Sequence, residues 1–199
     1  MKKLKKLVIA TGLMVSMSMG ILTTQSEAAK NYQVKSGETY WKIANKFGVS
    51  LSELKKRNNA STNMLLAGQN LVIPYSTISM ADKELIAKLV YAEAKGEPYA
   101  GKVAVATVVL NRVASPEFPN TIREVIYQKA GGHYAFTPVQ NGAINEAPDA
   151  ASRAAVNEAL AFRGQGNGSL FFYNPKTAVS KWVFSREVTV TIGNHRFAK

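Results

Sequence analysis

A break at Pro74-Tyr75-Ser76-Thr77 divides this chain into two unequal parts, and the absence of cysteine obliges each part to hold together on apolar packing alone. The N-terminus adds a second limit. Lys2, Lys3, Lys5 and Lys6 precede an uncharged apolar run over residues 7–22, and Ser26-x-Ala28 offers the small residues that a signal peptidase reads. That order of parts predicts a signal peptide over residues 1–28, cut before Ala29. The competing reading is a membrane anchor, but a run of 16 residues is short against the roughly 20 a spanning helix needs. No other stretch is long and apolar enough to span. Roughly 170 residues then remain, room for one ordinary domain or two small ones.

Charge narrows the partners. The whole chain carries a formal +12; the leader accounts for a net +3, leaving +9 on the exported part. Such a balance favours anionic partners, and an exported protein meets envelope polymers rather than nucleic acid; a merely soluble basic surface gives the same count. The cluster Lys55-Lys56-Arg57 reads as a helix end matched to the dipole, not as a nucleic-acid patch.

The first part reads as strand, helix, helix, strand. Tyr32-Gln33-Val34 alternates like a strand. Thr39 suits an N-cap, and Trp41, Ile43, Ala44 and Phe47 form the apolar side of a short helix that Gly48 ends. Ser50 with Glu53 forms a capping box for a second helix, whose Leu51 and Leu54 face inward. Gly68-Gln69 turns the chain into Leu71-Val72-Ile73, stopped by Pro74.

Tyr32-Gln33-Val34-Lys35-Ser36-Gly37-Glu38-Thr39, Trp41-x-Ile43-Ala44, Phe47-Gly48-Val49, Leu54, Asn58-Asn59 and Leu66-Ala67-Gly68-Gln69-x-Leu71-x-Ile73-Pro74 together resemble the LysM domain, a βααβ module that binds N-acetylglucosamine-containing glycans. The resemblance places that domain at residues 31–75. It departs from the family's usual pattern at Glu38, where Asp is common, and at Tyr40, where Leu is. It implies a sugar site between Gly37, Glu38, Thr39 and Tyr40 on one side and Asn63, Met64, Leu65 and Leu66 on the other.

The second part, residues 79–199, reads as α+β with its helices first. Ser79 and Asp82 form a capping box. Ile86, Leu89 and Val90 mark an inward face, and one further step along it reaches Glu93. A carboxyl group on an apolar stripe loses hydration, which favours its protonated form and suits a general acid. A solvated glutamate at the frayed end of the stripe, near Gly96 and Pro98, is the equal alternative from periodicity alone. Glu97 lies four residues on, close enough to perturb it. The Ala- and Val-rich stretch over 100–113 predicts a buried helix despite its β-branched content. Thr121 and Glu124 cap a short helix, Gly131-Gly132 opens a loop, and a helix runs over 148–163 with Asp149 in its first turn. Residues 170–175 form a buried strand, and 188–192 form a strand that turns back at Gly193-Asn194.

Elimination leaves carboxylate chemistry. Without cysteine there is no thiolate nucleophile. A zinc site needs about three protein ligands, and His133 and His195 stand far apart with no H-E-x-x-H; a zinc amidase using both and a carboxylate is the remaining metal alternative. No G-x-S-x-G motif supports a serine triad. The candidates are Glu93, Glu97, Glu146, Asp149 and Glu187. No cofactor or metal is expected.

Residues 89–98 (Leu-Val-Tyr-Ala-Glu-Ala-Lys-Gly-Glu-Pro), Gly101-x-x-Ala104-Val105-Ala106-x-Val108-x-Leu110-Asn111-Arg112-Val113, Phe136-Thr137-Pro138-Val139, Phe172-Tyr173-Asn174-Pro175 and Ile192-Gly193-Asn194-His195-x-Phe197 resemble the SleB/CwlJ-type cell wall hydrolases. The resemblance implies a lysozyme-like fold with a C-terminal hairpin, cleavage of peptidoglycan glycan strands, and Glu93 as catalytic acid. Glu97, Phe136, Thr137, Gln140, Tyr173 and Asn174 are the expected cleft residues. His195, in a hairpin, reads as structural rather than catalytic. A second carboxylate would set a retaining or inverting outcome; with Glu93 alone, the family's lytic transglycosylase route is expected. The expectation is a secreted, cell-wall-associated monomer whose partner is peptidoglycan, with no nucleic acid and no lasting membrane insertion. An N-acetylmuramoyl-L-alanine amidase and a non-catalytic wall-binding protein are the alternatives.

Overall fold

The computed structural model describes residues 30–165 and 167–199; the expected signal peptide lies outside the described residues. The N-terminal module is built from β1 (Lys30–Gln33), α1 (Tyr40–Phe47), α2 (Leu51–Arg57) and β2 (Asn70–Ile73). Strands β1 and β2 pair antiparallel, with Tyr32 opposite Leu71. Local chemistry sets the helix ends. The Thr39 and Ser50 side chains accept from the N–H groups of Lys42 and Glu53, and Gly48 takes the left-handed conformation that ends α1, at φ 57°. Asn58 then ties α2 to β2: its Nδ2 donates to the carbonyls of Leu54 and Val72, and its Oδ1 accepts from the Val72 N–H, all at 2.8 Å. Ile43, Ala44, Leu54, Leu71 and Ile73 fill the core between them.

The second part is led by three helices, α3 (Met80–Glu93), α4 (Tyr99–Ala114) and α7 (Ala150–Ala161), packed around a common core. Between α4 and α7 come α5 (Ile122–Ile126), a small hairpin of β3 (Lys129–Ala130) and β4 (His133–Tyr134), α6 (Thr137–Asn141) and a 3₁₀ turn at Ala143–Asn145. After α7 follow β5 (Phe171–Tyr173), a 3₁₀ turn at Lys181–Ser185, β6 (Val188–Ile192) and β7 (His195–Ala198). Val105, Val108 and Val109 are fully buried at helical spacing on α4, so burial along one stripe overrides the strand preference of β-branched residues.

Three details differ from the sequence reading. Asp149 is the N-cap of α7, accepting from the Ser152 N–H, rather than part of its first turn. Gly131 and Gly132, at φ 58° and 84°, close a tight hairpin instead of opening a loop; two successive positive φ angles match the turn that suits a right-twisted ribbon. Strand β5 joins the C-terminal hairpin as a third strand, in the order β5-β7-β6.

The two parts meet on the end of α7. Ala161 completes the N-terminal core, and Trp41 packs on Phe162 with ring centroids 6.2 Å apart. Lys83 Nζ donates to the Gly48 carbonyl at 3.2 Å, and Arg163 Nη1 to Thr77 Oγ1 at 3.0 Å. Gly48 therefore serves twice: a Cβ there would lie 2.6 Å from Asn157 Oδ1. None of the helices in the described residues is long and apolar enough to cross a membrane.

Candidate active site

The inward stripe of α3 carries Ile86, Leu89 and Val90 into the core and ends on Glu93, the last residue of the helix. The carboxyl group reaches a cleft of about 340 Å³, walled by Phe136 and Thr137 at the start of α6, by Phe172, Tyr173 and Asn174 at the end of β5, by Arg112 from α4 and by His195 from β7. Glu93 is the one acidic side chain among the described residues that lines it. Burial pushes the Glu93 carboxyl up from 4.5 to about 7, against the pull of the Arg112 cation. At neutral pH the group is thus poised between its two forms.

Arg112 is itself only 7% exposed. Its Nε donates to the Leu170 carbonyl at 2.7 Å, and its guanidinium lies 4.9 to 5.5 Å from the rings of Phe136, Phe118 and Phe171. Burial pushes it down to about 10, opposed by Glu93, so it stays a cation. Nη1 has no hydrogen-bond partner among the described residues. The cost of enclosing that charge is offset by the aromatic faces around it and by the carboxylate form of Glu93. A second hollow of about 420 Å³ shares Arg112, Phe172 and Tyr173 with the cleft and is also lined by Phe118, Phe171 and Trp182.

Of the expected cleft residues, Phe136, Thr137, Tyr173 and Asn174 meet around Glu93. Glu97 and Gln140 do not line the cleft. Gln140 is exposed on α6. Glu97 instead accepts from the Asn194 N–H at 2.9 Å and from Asn194 Nδ2 at 3.0 Å. Burial raises the Glu97 carboxyl, but those two bonds and the nearby His195 outweigh it, and the net shift is downward. Glu97 is held ionised as a clamp and does not pair with Glu93. His195, read from the sequence as structural, lines the cleft, and so does Arg112, which the sequence reading did not place there. Arg112 carried a readable signal: it continues the stripe Val105, Val108, Val109 at helical spacing, as Glu93 continues that of α3.

In the N-terminal module, β pairing continues as Val34 N–H to Gln69 O and Gly68 N–H to Val34 O. It brings the loop after β1 beside the loop before β2. Gly37, Thr39, Asn63, Met64 and Leu66 are exposed there, with Met64 at 75% and Leu66 at 67%. Leu65 is partly buried against the core. Tyr40 corrects the expectation: at 4% exposure its ring fills the core and is not presented to a sugar, because it starts α1 on that helix's inward side. Glu38 accepts from Tyr32 Oη at 2.7 Å and from the Lys35 N–H at 2.9 Å, and pairs with Lys46 at 3.3 Å. Asn63 Oδ1 accepts from Lys55 Nζ.

Residues 96–198 match the family described as cell wall hydrolase, and residues 32–74 match the LysM domain. The hydrolase match begins just past Glu93. A spore cortex-lytic enzyme of Halalkalibacterium halodurans is 45% identical over 116 residues, 58% of this chain and 34% of that protein. The solved catalytic domain of the germination-specific lytic transglycosylase SleB from Bacillus anthracis is 41% identical, with a TM-score of 0.56, over 63% of this chain and all of that one. An N-acetylmuramoyl-L-alanine amidase, sle1, of Staphylococcus saprophyticus is 33% identical over 101 residues, 51% of this chain and 31% of that protein. The chain thus spans well under half the length of these two full-length relatives. With more than half of its length matched, the chain belongs to the cell wall hydrolase family, and it carries a LysM domain ahead of the family's own domain.

Proposed function

We propose that this protein is exported, binds peptidoglycan through its LysM module, and cleaves the glycan strand between N-acetylmuramic acid and N-acetylglucosamine as a lytic transglycosylase. The observation that carries this reading is Glu93: a carboxyl group whose pKa is pushed up to about 7, at the end of a buried stripe, with no second carboxylate on the cleft wall among the described residues. A two-carboxylate glycosidase needs its second group within about 5 to 9.5 Å to form a covalent intermediate or seat a water. One group suffices if the substrate supplies the nucleophile. Protonated Glu93 gives its proton to the glycosidic oxygen as the C1–O bond breaks. The C6 hydroxyl oxygen of the muramic acid then bonds to C1, and its proton passes to the Glu93 carboxylate. The products are a free glucosamine hydroxyl and a 1,6-anhydro muramic end, no water is consumed, and Glu93 is protonated again. Arg112 steadies the transient carboxylate through space.

Thr137 and Asn174 supply polar contacts, and Phe136 and Tyr173 apolar faces, for the sugars. Met64 and Leu66, with the loop backbone from Gly37 to Thr39, offer a shallow surface for a second stretch of the same glycan. The similarity of the catalytic part to SleB supports the transglycosylase outcome. We read the protein as a cell-wall-associated monomer that takes no nucleic acid. Digestion of purified peptidoglycan, with the new ends identified by mass spectrometry, tests the reading. Anhydro-muramic ends are expected. Reducing muramic ends would mean that water is the acceptor, and reducing glucosamine ends that the other glycosidic bond is cut. Stem peptides with free N-terminal alanine would replace this reading by an amidase, and unaltered strands by a wall-binding protein without activity.

A further inference from the structure

His195 stands immediately after the Gly193-Asn194 turn, opens β7, and lines the same cleft as Glu93. It is 9% exposed, set between Phe172, 5.3 Å from its ring centroid, and Phe197, 6.2 Å away. Among the described residues neither ring nitrogen has a hydrogen-bond partner; Nδ1 is sealed from solvent and Nε2 is not. Buried polar side chains almost always find a partner, because an unpaired one costs stability. A histidine kept in an aromatic wall without one is poorly explained by packing, which phenylalanine would satisfy better.

The turn before it is built around its placement. Glu97 takes both the N–H and the Nδ2 of Asn194. Gly193 has φ 58°, and a Cβ there would run into the Glu97 carboxylate and lie 2.7 Å from the Pro98 ring. Only glycine lets the carboxylate approach so closely. Gly193 makes room, Asn194 is clamped, and His195 follows directly, on the wall of the cleft that Glu93 also lines. Burial lowers the His195 imidazole below its ordinary 6.5, with Glu97 pulling the other way. The ring is neutral at neutral pH, and a neutral imidazole offers one donor and one acceptor.

We infer that His195 is a substrate-contacting residue of this cleft, hydrogen-bonding through Nε2 to a hydroxyl or acetamido group of an N-acetylated sugar, and that the Glu97–Asn194 clamp positions it. The inference rests on the glycan-cleaving reading above. Nε2, which is open to solvent and without a protein partner among the described residues, is the ring nitrogen a sugar can reach, and a sugar lacking that group forfeits the bond.

Kinetics on solubilised glycan strands with the full chain test this, alongside thermal melting. His195→Phe keeps the aromatic packing and removes both nitrogens. It is expected to melt at or above the wild type, and to lose roughly 10- to 100-fold in kcat/KM, the loss of one or two good hydrogen bonds. His195→Gln, which restores a donor and an acceptor, is expected to recover part of that loss; a merely structural histidine predicts the reverse order in melting and no such recovery. A His195→Phe variant within about two-fold of the wild type in kcat/KM, beside an active wild type and an inactive Glu93→Gln, overturns the inference alone. A wild type that releases no glycan ends overturns the proposed function and the inference with it. Should His195→Phe not fold, the ring-nitrogen NMR shifts of His195 in the Glu93→Gln chain decide: they move on adding a glucosamine–muramic tetrasaccharide, or the inference falls.

Discussion

Glu38 and Glu93 occupy the two parts of the molecule in opposite circumstances. Glu38, in the loop after β1, is met by the Lys35 N–H, the Tyr32 hydroxyl and the Lys46 ammonium, which hold its carboxyl below the ordinary range. Glu93 is met by no hydrogen-bond donor among the described residues, and burial drives it up to about 7. The first carboxylate is spent on structure, joining the sugar-side loop to β1 and α1. The second costs the fold stability and keeps a proton available. His195 and Glu97 repeat the contrast around one hairpin turn: the clamp is satisfied and ionised, the histidine that follows the clamped residue is neither. A polar group is available to a ligand to the extent that the protein leaves it unsatisfied.

The sharpest way to break that comparison is Glu93→Gln. Turnover is expected to fall about 10²- to 10⁴-fold, the range for removing a general acid, while the melting temperature holds or rises; a stability loss with activity retained would make Glu93 the structural carboxylate of the pair. Next in size is the pH dependence. Because the folded Glu93 pKa is raised, the fold binds its proton more tightly than the unfolded chain does. The associated stability is complete below about 4.5 and lost as pH rises through about 7, on the order of 3 kcal/mol. Denaturant unfolding at stepped pH should show this loss in the wild type and not in Glu93→Gln. The acid needed for cleavage disappears over the same rise, so kcat/KM should fall above about pH 7. Glu38 has the opposite sign: its contribution is present above its ordinary value and lost on acidification.

Glu97→Ala releases the hairpin. It is expected to cost roughly 1 to 3 kcal/mol and to lower cleavage less than Glu93→Gln does, with binding to insoluble wall unchanged, as a pull-down assay would register. Met64→Asp sharpens the comparison from the other side: wall binding should weaken by a few-fold, about 1 kcal/mol, while soluble strands are cut at the wild-type rate. Glu38→Gln should have the smallest effect, a slight drop in melting temperature without change in cleavage.

Glu93 was legible because α3 writes its inward face at helical spacing and the carboxylate continues it. The caps at Thr39, Ser50, Ser79 and Thr121 were legible for the same local reason. Tyr40 was misplaced because a residue at a loop-to-helix junction belongs to either side until the helix's rotation about its axis is set. Glu97 was placed with Glu93 because four residues separate them, yet the helix ends at Glu93 and the chain turns before Glu97. Strand β5 was expected, but its partner was not, since the pairing with β7 joins segments that no short-range pattern links.

Periodicity, capping and breaks act over a few residues, and so the sequence by itself determined the capped helices, though not α6, and the stripe that buries Glu93. Which polar groups are answered and which are left open depends on residues far apart in the chain. Leu170 holds Arg112 from 58 positions away, and Asn194 holds Glu97 from 97. Only the tertiary structure decided those pairings, because a hydrogen bond is fixed by distance and direction in space, and those are not properties of a short stretch of sequence.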